Sequence, residues 1–239
     1  MIHSDATLSR SAAALRAPGD AAPIHASYRG NAMLKLHHLN NSRSQRIIWL
    51  LEELGVPYEL VKYQRMTPVP LAPPELKQVH PLGKSPVIED NGLKIAESGA
   101  EVEYIIDTYG KGKLKPAKGS ADYWKYIEWM HFAEGSAMLP LLMALYTSRL
   151  GDAAAPLKPR VDSEIDNHLS YMDAALGSKN FFVGNELTGA DIMLIFVVEA
   201  AGARLEPYKN LVRYRDAIHA RPAYQRSIEK GGPYQLMSR

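Results

Sequence analysis

A glutamate beside a serine at the start of a helix-forming stretch can hold an amino-acid head group, and Glu97-Ser98 is such a pair. Ser98 followed by Glu101 has the pattern of a capping box. The unpaired N–H groups and the dipole of a helix start suit a carboxylate. Glu97 beside them can hold an ammonium, so both charges of a free amino-acid end are matched. The stretch leading to this pair is His80-Pro-Leu-Gly-Lys84-Ser85-Pro86, then Val87-Ile88-Glu89 and Leu93-Lys94-Ile95 around Asp90-Asn91-Gly92. Two short apolar runs around Asn-Gly form a strong hairpin signal. The same residues are also compatible with a plain hairpin and capped helix that bind nothing.

The elements that must position this segment follow from periodicity. Leu34–His38 reads as a strand opening after Met33. Ile47, Ile48, Leu50, Leu51 and Leu54 recur at helical spacing, with Gly55 as C-cap and Pro57 blocking continuation. Tyr58–Lys62 is a second strand. Five prolines between Thr67 and Pro81 force a loop, with one short helix near Glu75–Val79. After the hairpin a helix is expected from Ser98 to about Tyr109. Gly110–Gly119 is a Lys- and Gly-rich linker, and only helices are expected beyond it. Ala121–Leu139 is one of them, kinked or broken at Pro140. Val161, Ile165, Leu169, Met172 and Leu176 mark a long amphipathic helix stopped by Gly177. Thr188 and Asp191 cap another, with Leu187 stapled to Ile192. The domain reading is therefore an extension at 1–32, an α/β domain at 33–112 and an all-helical domain at 120–239.

The 239 residues carry a net charge of +2, so the chain as a whole gives no electrostatic case for nucleic acid or a membrane surface as partner. The longest apolar run, Ile192–Val198, is far short of the roughly 20 residues of a membrane span. There are no cysteines, which rules out redox chemistry on a protein thiol and suits a reducing, cytoplasmic setting. Any thiol chemistry must use a thiol brought by the substrate. His37 and His38 are adjacent on a strand and face opposite ways, and no metal site is expected. Residues 1–32 are Ala/Ser-rich without apolar period. They read as a disordered extension, an upstream start before Met33, or a targeting peptide.

Leu82-Gly-Lys-Ser-Pro-Val-Ile88 followed by Ala96-Glu-Ser98 resembles the glutathione-binding half of the cytosolic glutathione transferases, in their serine-type bacterial and fungal form. Phe181-Phe-Val-Gly184 and Leu187-Thr-Gly-Ala-Asp-Ile192 resemble the buried capping box of the same family, whose role is in folding. The likeness runs over about residues 33–230. It implies an N-terminal thioredoxin-like domain followed by a C-terminal helical bundle, and a homodimer. It further implies that Pro86 is cis, that Ser85 pairs through its backbone with the cysteinyl part of glutathione, and that Glu97 and Ser98 take the γ-glutamyl end. Lys84 is placed to reach the glycyl carboxylate.

The implied activity is that of a glutathione transferase acting on an electrophilic or peroxidic small molecule, with glutathione as co-substrate and no metal. The other reading is a non-catalytic binding or regulatory protein on the same fold. A thiolate needs a donor where the first strand meets the first helix. Ser42 is expected to be that donor, with Asn40 and Asn41 as alternatives and helix capping as a competing role for the serine. Arg43 and Arg46 are expected in solvated or interdomain salt bridges. Trp129, His131, Met138, Leu142 and Tyr146 are candidates to line the acceptor pocket.

Overall fold

The computed structural model describes residues 33–232. The readings of residues 1–32 lie outside the described residues. Strand β1 (Leu34–Leu39) runs into helix α1 (Ser44–Leu54), then come β2 (Tyr58–Tyr63) and a one-turn α2 (Leu76–Val79). The hairpin β3 (Val87–Asp90) and β4 (Leu93–Ala96) leads to α3 (Ser98–Tyr109). The sheet order is β2-β1-β3-β4, with β1 parallel to β2 and β3 antiparallel to both β1 and β4. This is the mixed sheet of a thioredoxin-like domain. The hairpin turns on Asn91 and Gly92, both at positive φ (49° and 81°), as a two-residue loop between right-twisted strands requires. Gly55 closes α1 in the left-handed conformation at φ 65°.

Among the described residues from Ala121 onward the regular elements are helices: α4 (Ala121–Phe132), α5 (Met138–Thr147), α6 (Lys158–Leu176), α7 (Gly189–Ala200), α8 (Lys209–His219) and α9 (Pro222–Gly231). The irregularity expected at Pro140 appears as a π-turn at Ala133–Ala137, which contains Ser136, four residues before the proline and without an N–H from it. One expectation is corrected here, the capping box at Ser98. Helix α3 begins at Ser98 with Glu97 at the cap position, and no side chain caps it. Glu101 does not reach back. It is buried, with both carboxylate oxygens lacking a hydrogen-bond partner among the described residues.

The second capping pattern forms as read. The Asp191 carboxylate accepts from the N–H of Thr188 at 2.9 Å, from its hydroxyl at 3.0 Å and from the N–H of Phe182 at 3.0 Å. Burial lifts Asp191 to a pKa of about 6 against the pull of these donors. Helix α7 is buried along almost its whole length and packs on α1, α3 and α4. One hydrophobic core therefore runs from Leu36, Ile47 and Trp49 to Met193 and Val197.

Candidate active site

Strand register gathers the predicted site. His37 of β1 lies opposite Val87 of β3, and Val87 lies opposite Ala96 of β4. The end of β1, the start of β3 and the end of β4 therefore share one end of the sheet. The segments that leave there are 40–43, 84–86 and 97–98. Neighbouring strands are about 4.8 Å apart, so the outer two segments are about 10 Å apart across β3.

At the β1 end, Ser42 is buried. The helix begins two residues later, so Ser42 is not its cap residue, although its Oγ accepts the Ser44 N–H at 3.2 Å. Ser42 Oγ also lies 2.8 Å from Ser44 Oγ, which lies 2.7 Å from Nδ1 of His38. Nε2 of His38 donates to the carbonyl of Gly231 at 3.0 Å. Burial lowers His38 to a pKa of about 4, and the backbone bond to Gly231 opposes that shift. Arg65 braces the loop. Its side chain donates to the carbonyls of Asn40 at 3.1 Å, Asn41 at 2.9 Å and Pro70 at 3.0 Å. Its own N–H donates to Asn40 Oδ1 at 2.7 Å.

At the β3 start the Ser85–Pro86 peptide bond is cis, and so is Thr67–Pro68. The Ser85 hydroxyl donates to the His37 carbonyl at 2.8 Å and accepts the Leu39 N–H at 3.0 Å, tying this loop to β1. Among the described residues, neither the N–H nor the carbonyl of Ser85 has a backbone partner. Pro86 is buried, and Lys84 is exposed.

At the β4 end Glu97 is exposed, with φ 74° and ψ 115°. A non-glycine residue held there is strained, and such strain clusters at functional sites. Ser98 is buried at the first turn of α3. Burial holds the carboxyl of Glu101, one turn on, well above the usual carboxylate range, with Arg46 pulling the other way.

Arg43, at the cap position of α1, and Arg46 within it both reach the helical part. Arg43 Nε donates to Glu134 Oε1 at 2.8 Å, and the fully buried Arg46 pairs with the same carboxylate. Arg46 Nη1 donates to the Met193 carbonyl at 2.9 Å. The interdomain salt-bridge reading of these arginines is thus the one realised. The acceptor-pocket candidates divide. Trp129 and Met138 are core residues, Leu142 is half-buried, and His131 and Tyr146 are exposed. Helical spacing did not distinguish core from lining. Arg65, Ser44 and Gly231 were missed. Only Ser44 lies near the predicted site in sequence, and nothing local marks the other two. Among the described residues, no cluster of His, Asp and Glu could hold a metal, and no helix is long and apolar enough to cross a membrane.

A thioredoxin-like domain with a cis-proline loop, joined to a helical bundle, is the architecture that the sequence resemblance implies. The family models sharpen this. The glutathione S-transferase N-terminal domain matches residues 32–107, and the C-terminal domain matches residues 137–229. The chain is 36% identical to glutathione S-transferase 3 of Schizosaccharomyces pombe over 215 residues, covering 83% of this chain and 88% of that one. It is 30% identical to glutathione S-transferase 1 of Saccharomyces cerevisiae over 225 residues, covering 83% and 95%. A glutathione S-transferase crystal structure from Actinobacillus pleuropneumoniae superposes with a TM-score of 0.78 at 35% identity, covering 87% of this chain and 96% of that one. A sphingomonad glutathione S-transferase solved with glutathione is 26% identical, with a TM-score of 0.68 and coverage of 83% and 98%. The chain belongs to the glutathione S-transferase family, and its activity is that of a glutathione transferase.

Proposed function

We propose that glutathione lies across the sheet end, with its thiol at Ser42 and its γ-glutamyl group at Glu97 and Ser98. The observation that carries this reading is the convergence, by register, of a buried hydroxyl, an unpaired backbone and a strained acidic turn. The γ-glutamyl arm and the cysteinyl side chain together carry the thiol away from the head group, so one molecule reaches from one outer segment to the other. The unpaired N–H and carbonyl of Ser85 pair with the cysteinyl residue as an added strand would. The amino group meets the Glu97 carboxylate, the carboxylate meets Ser98 and the start of α3, and Lys84 takes the glycyl carboxylate.

A thiol of pKa about 8.5 needs about 2.7 kcal/mol of preferential thiolate stabilisation to titrate two units lower. A hydrogen bond to a charged group contributes about 1.5–3 kcal/mol, so the single hydroxyl of Ser42 accounts for most of it. The N-terminus of α1 adds a smaller favourable field. The thiolate sulfur then attacks an electrophilic centre and the leaving group departs with the bond electrons. With a peroxide the thiolate sulfur takes one oxygen to become a sulfenic acid as an alcohol leaves, and a second glutathione thiol attacks that sulfur, forming the disulfide and releasing the oxygen as water.

The retained Lys84-Ser85-Pro86 and Glu97-Ser98 support turnover over the non-catalytic reading. The same proposal takes 33–112 and 120–239 as the two domains, a homodimer as the assembly and the cytoplasm as the site of action, where glutathione is kept reduced. A sedimentation mass of one chain would contradict the homodimer.

Calorimetry of glutathione binding, followed by thiolate absorbance of the bound ligand against pH, tests the site. Binding with a lowered thiol pKa that Ser42→Ala raises supports the assignment. A thiol pKa unmoved by Ser42→Ala transfers the role to Asn40, Asn41 or backbone N–H groups. No binding at millimolar glutathione sinks the site.

A further inference from the structure

The line of side chains behind Ser42 has a direction, and the end of α9 sets it. A carbonyl oxygen can only accept, so Nε2 of His38, 3.0 Å from the Gly231 carbonyl, carries a proton. Burial, reinforced by repulsion from Lys62 on β2, keeps the imidazole neutral at ordinary pH. Nδ1 is then a bare acceptor, and the hydroxyl 2.7 Å away on Ser44 donates to it in preference to the Leu39 carbonyl at 3.3 Å, since the other choice would leave two lone pairs facing each other at 2.7 Å. Ser44 has no second proton. The 2.8 Å contact between the two serines therefore runs from the Ser42 hydroxyl to Ser44 Oγ. The Leu39 N–H adds a weaker donation to Ser44 Oγ at 3.3 Å, and the Ser44 N–H donates to Ser42 Oγ at 3.2 Å.

We propose that His38 and Ser44 are positioning residues that turn the hydroxyl proton of Ser42 inward in the resting site, so that the glutathione thiolate must draw this proton away from Ser44. The inference rests on the reading of Ser42 as the thiolate's donor. Its consequence is a thiol less acidic than Ser42 alone would make it, with the degree of activation set from the far end of the chain. Gly231, which supplies the anchoring carbonyl, closes α9 against α1 so tightly that a methyl there would collide with Gln45 and come within 2.8 Å of Ile48. Gln45 secures the same junction by donating from Nε2 to the Ser227 carbonyl at 2.7 Å.

His38 is not itself the base for the thiol. Its pKa of about 4 lies more than four units below a thiol of about 8.5, so passing the thiol proton down the serines would be disfavoured by more than about ten-thousandfold. Its role is to fix which way two hydroxyls point.

The test has two parts. Nitrogen NMR of the ligand-free wild-type enzyme reads the His38 tautomer directly. The expected result is a neutral ring protonated on Nε2 across the neutral pH range. A neutral ring protonated on Nδ1, or an imidazolium at pH 7, overturns the proposal. The second part is the thiol pKa of bound glutathione in variants. His38→Leu removes the nearer acceptor, so that Ser44 donates to Ser42 at 2.8 Å in preference to the Leu39 carbonyl at 3.3 Å and turns the Ser42 proton outward. The thiolate fraction below the pKa should rise about three- to tenfold, the equivalent of one ordinary hydrogen bond no longer lost. His38→Asn, which restores an acceptor near Nδ1, should return the wild-type value, and Ser42→Ala should shift the pKa upward. A merely structural His38 would give His38→Leu the same sign as Ser42→Ala or no shift, and either result overturns the proposal. A thiol pKa unmoved by Ser42→Ala means instead that the donor assignment has failed. Should His38→Leu not fold, the wild-type tautomer decides alone.

Discussion

At the Ser42 end of the cradle the polar side chains are bonded to one another, whereas at the Glu97–Ser98 end they have no protein partner among the described residues. Ser42, Ser44 and His38 form a continuous line to the Gly231 carbonyl. Glu97 is also held at positive φ. On the proposed reading the difference separates two tasks. At the first end the Ser42 oxygen is held in place before the ligand arrives, so that only its proton has to turn toward the thiolate and little else reorganises. Holding a zwitterionic head group needs groups whose partners are missing until the ligand supplies them. Strain is tolerable at the second end because α3 begins immediately and holds the turn in place.

Four substitutions break or sharpen this contrast. The largest effect should come from the support common to both ends. Glu134→Ala leaves the buried Arg46 without its carboxylate, and such loss costs about 3 kcal/mol or more. Denaturant unfolding should show it, with thiol pKa and glutathione affinity damaged together. Next, Ser42→Ala should lower kcat/KM at neutral pH about 10- to 100-fold, the loss of one charge-assisted hydrogen bond of about 1.5–3 kcal/mol. Glutathione affinity at acidic pH, where the thiol is protonated, should barely move. A change confined to KM would erase the proposed division of labour.

Glu97→Gly should act in the opposite manner. It weakens glutathione binding about tenfold and leaves the bound thiol pKa unchanged. It also raises unfolding stability by about 1 kcal/mol, because glycine adopts positive φ without strain. A loss of stability would show that Glu97 is not strained in solution. The smallest effect concerns Glu101. Its carboxyl titrates above the unfolded value near 4.3, so its ionisation adds no cost below that pH. The cost grows as pH rises from the unfolded value toward the folded one. Glu101→Leu should therefore stabilise by about 1 kcal/mol at pH 8 and by little at pH 4, measured by urea midpoints. A gain larger at pH 4 would contradict the buried, unpaired carboxyl.

Much of this fold was legible along the chain. Apolar residues of α1 recur at helical spacing and Gly55 ends the helix, so local physics alone sets that element. Asn91-Gly92 dictates the hairpin because few other residues turn that tightly. Thr188 and Asp191 announce α7, since capping is a contact between near neighbours. The expectation at Ser98 and Glu101 failed for an equally physical reason. The pattern matched, yet the helix started one residue earlier, and Glu101 turned toward Arg46 of α1 instead of back toward the cap.

The sequence by itself determined the strands, the helices and the residue types at the cradle, because periodicity, turns and caps act over a few residues. Tertiary structure decided which of those residues meet. Register brought 40–43, 84–86 and 97–98 to one end of the sheet. Arg65 reached back 25 positions to hold Asn40. Gly231, 193 positions from His38, set the proton on its ring. Such contacts depend on how whole elements pack, and no local pattern encodes them.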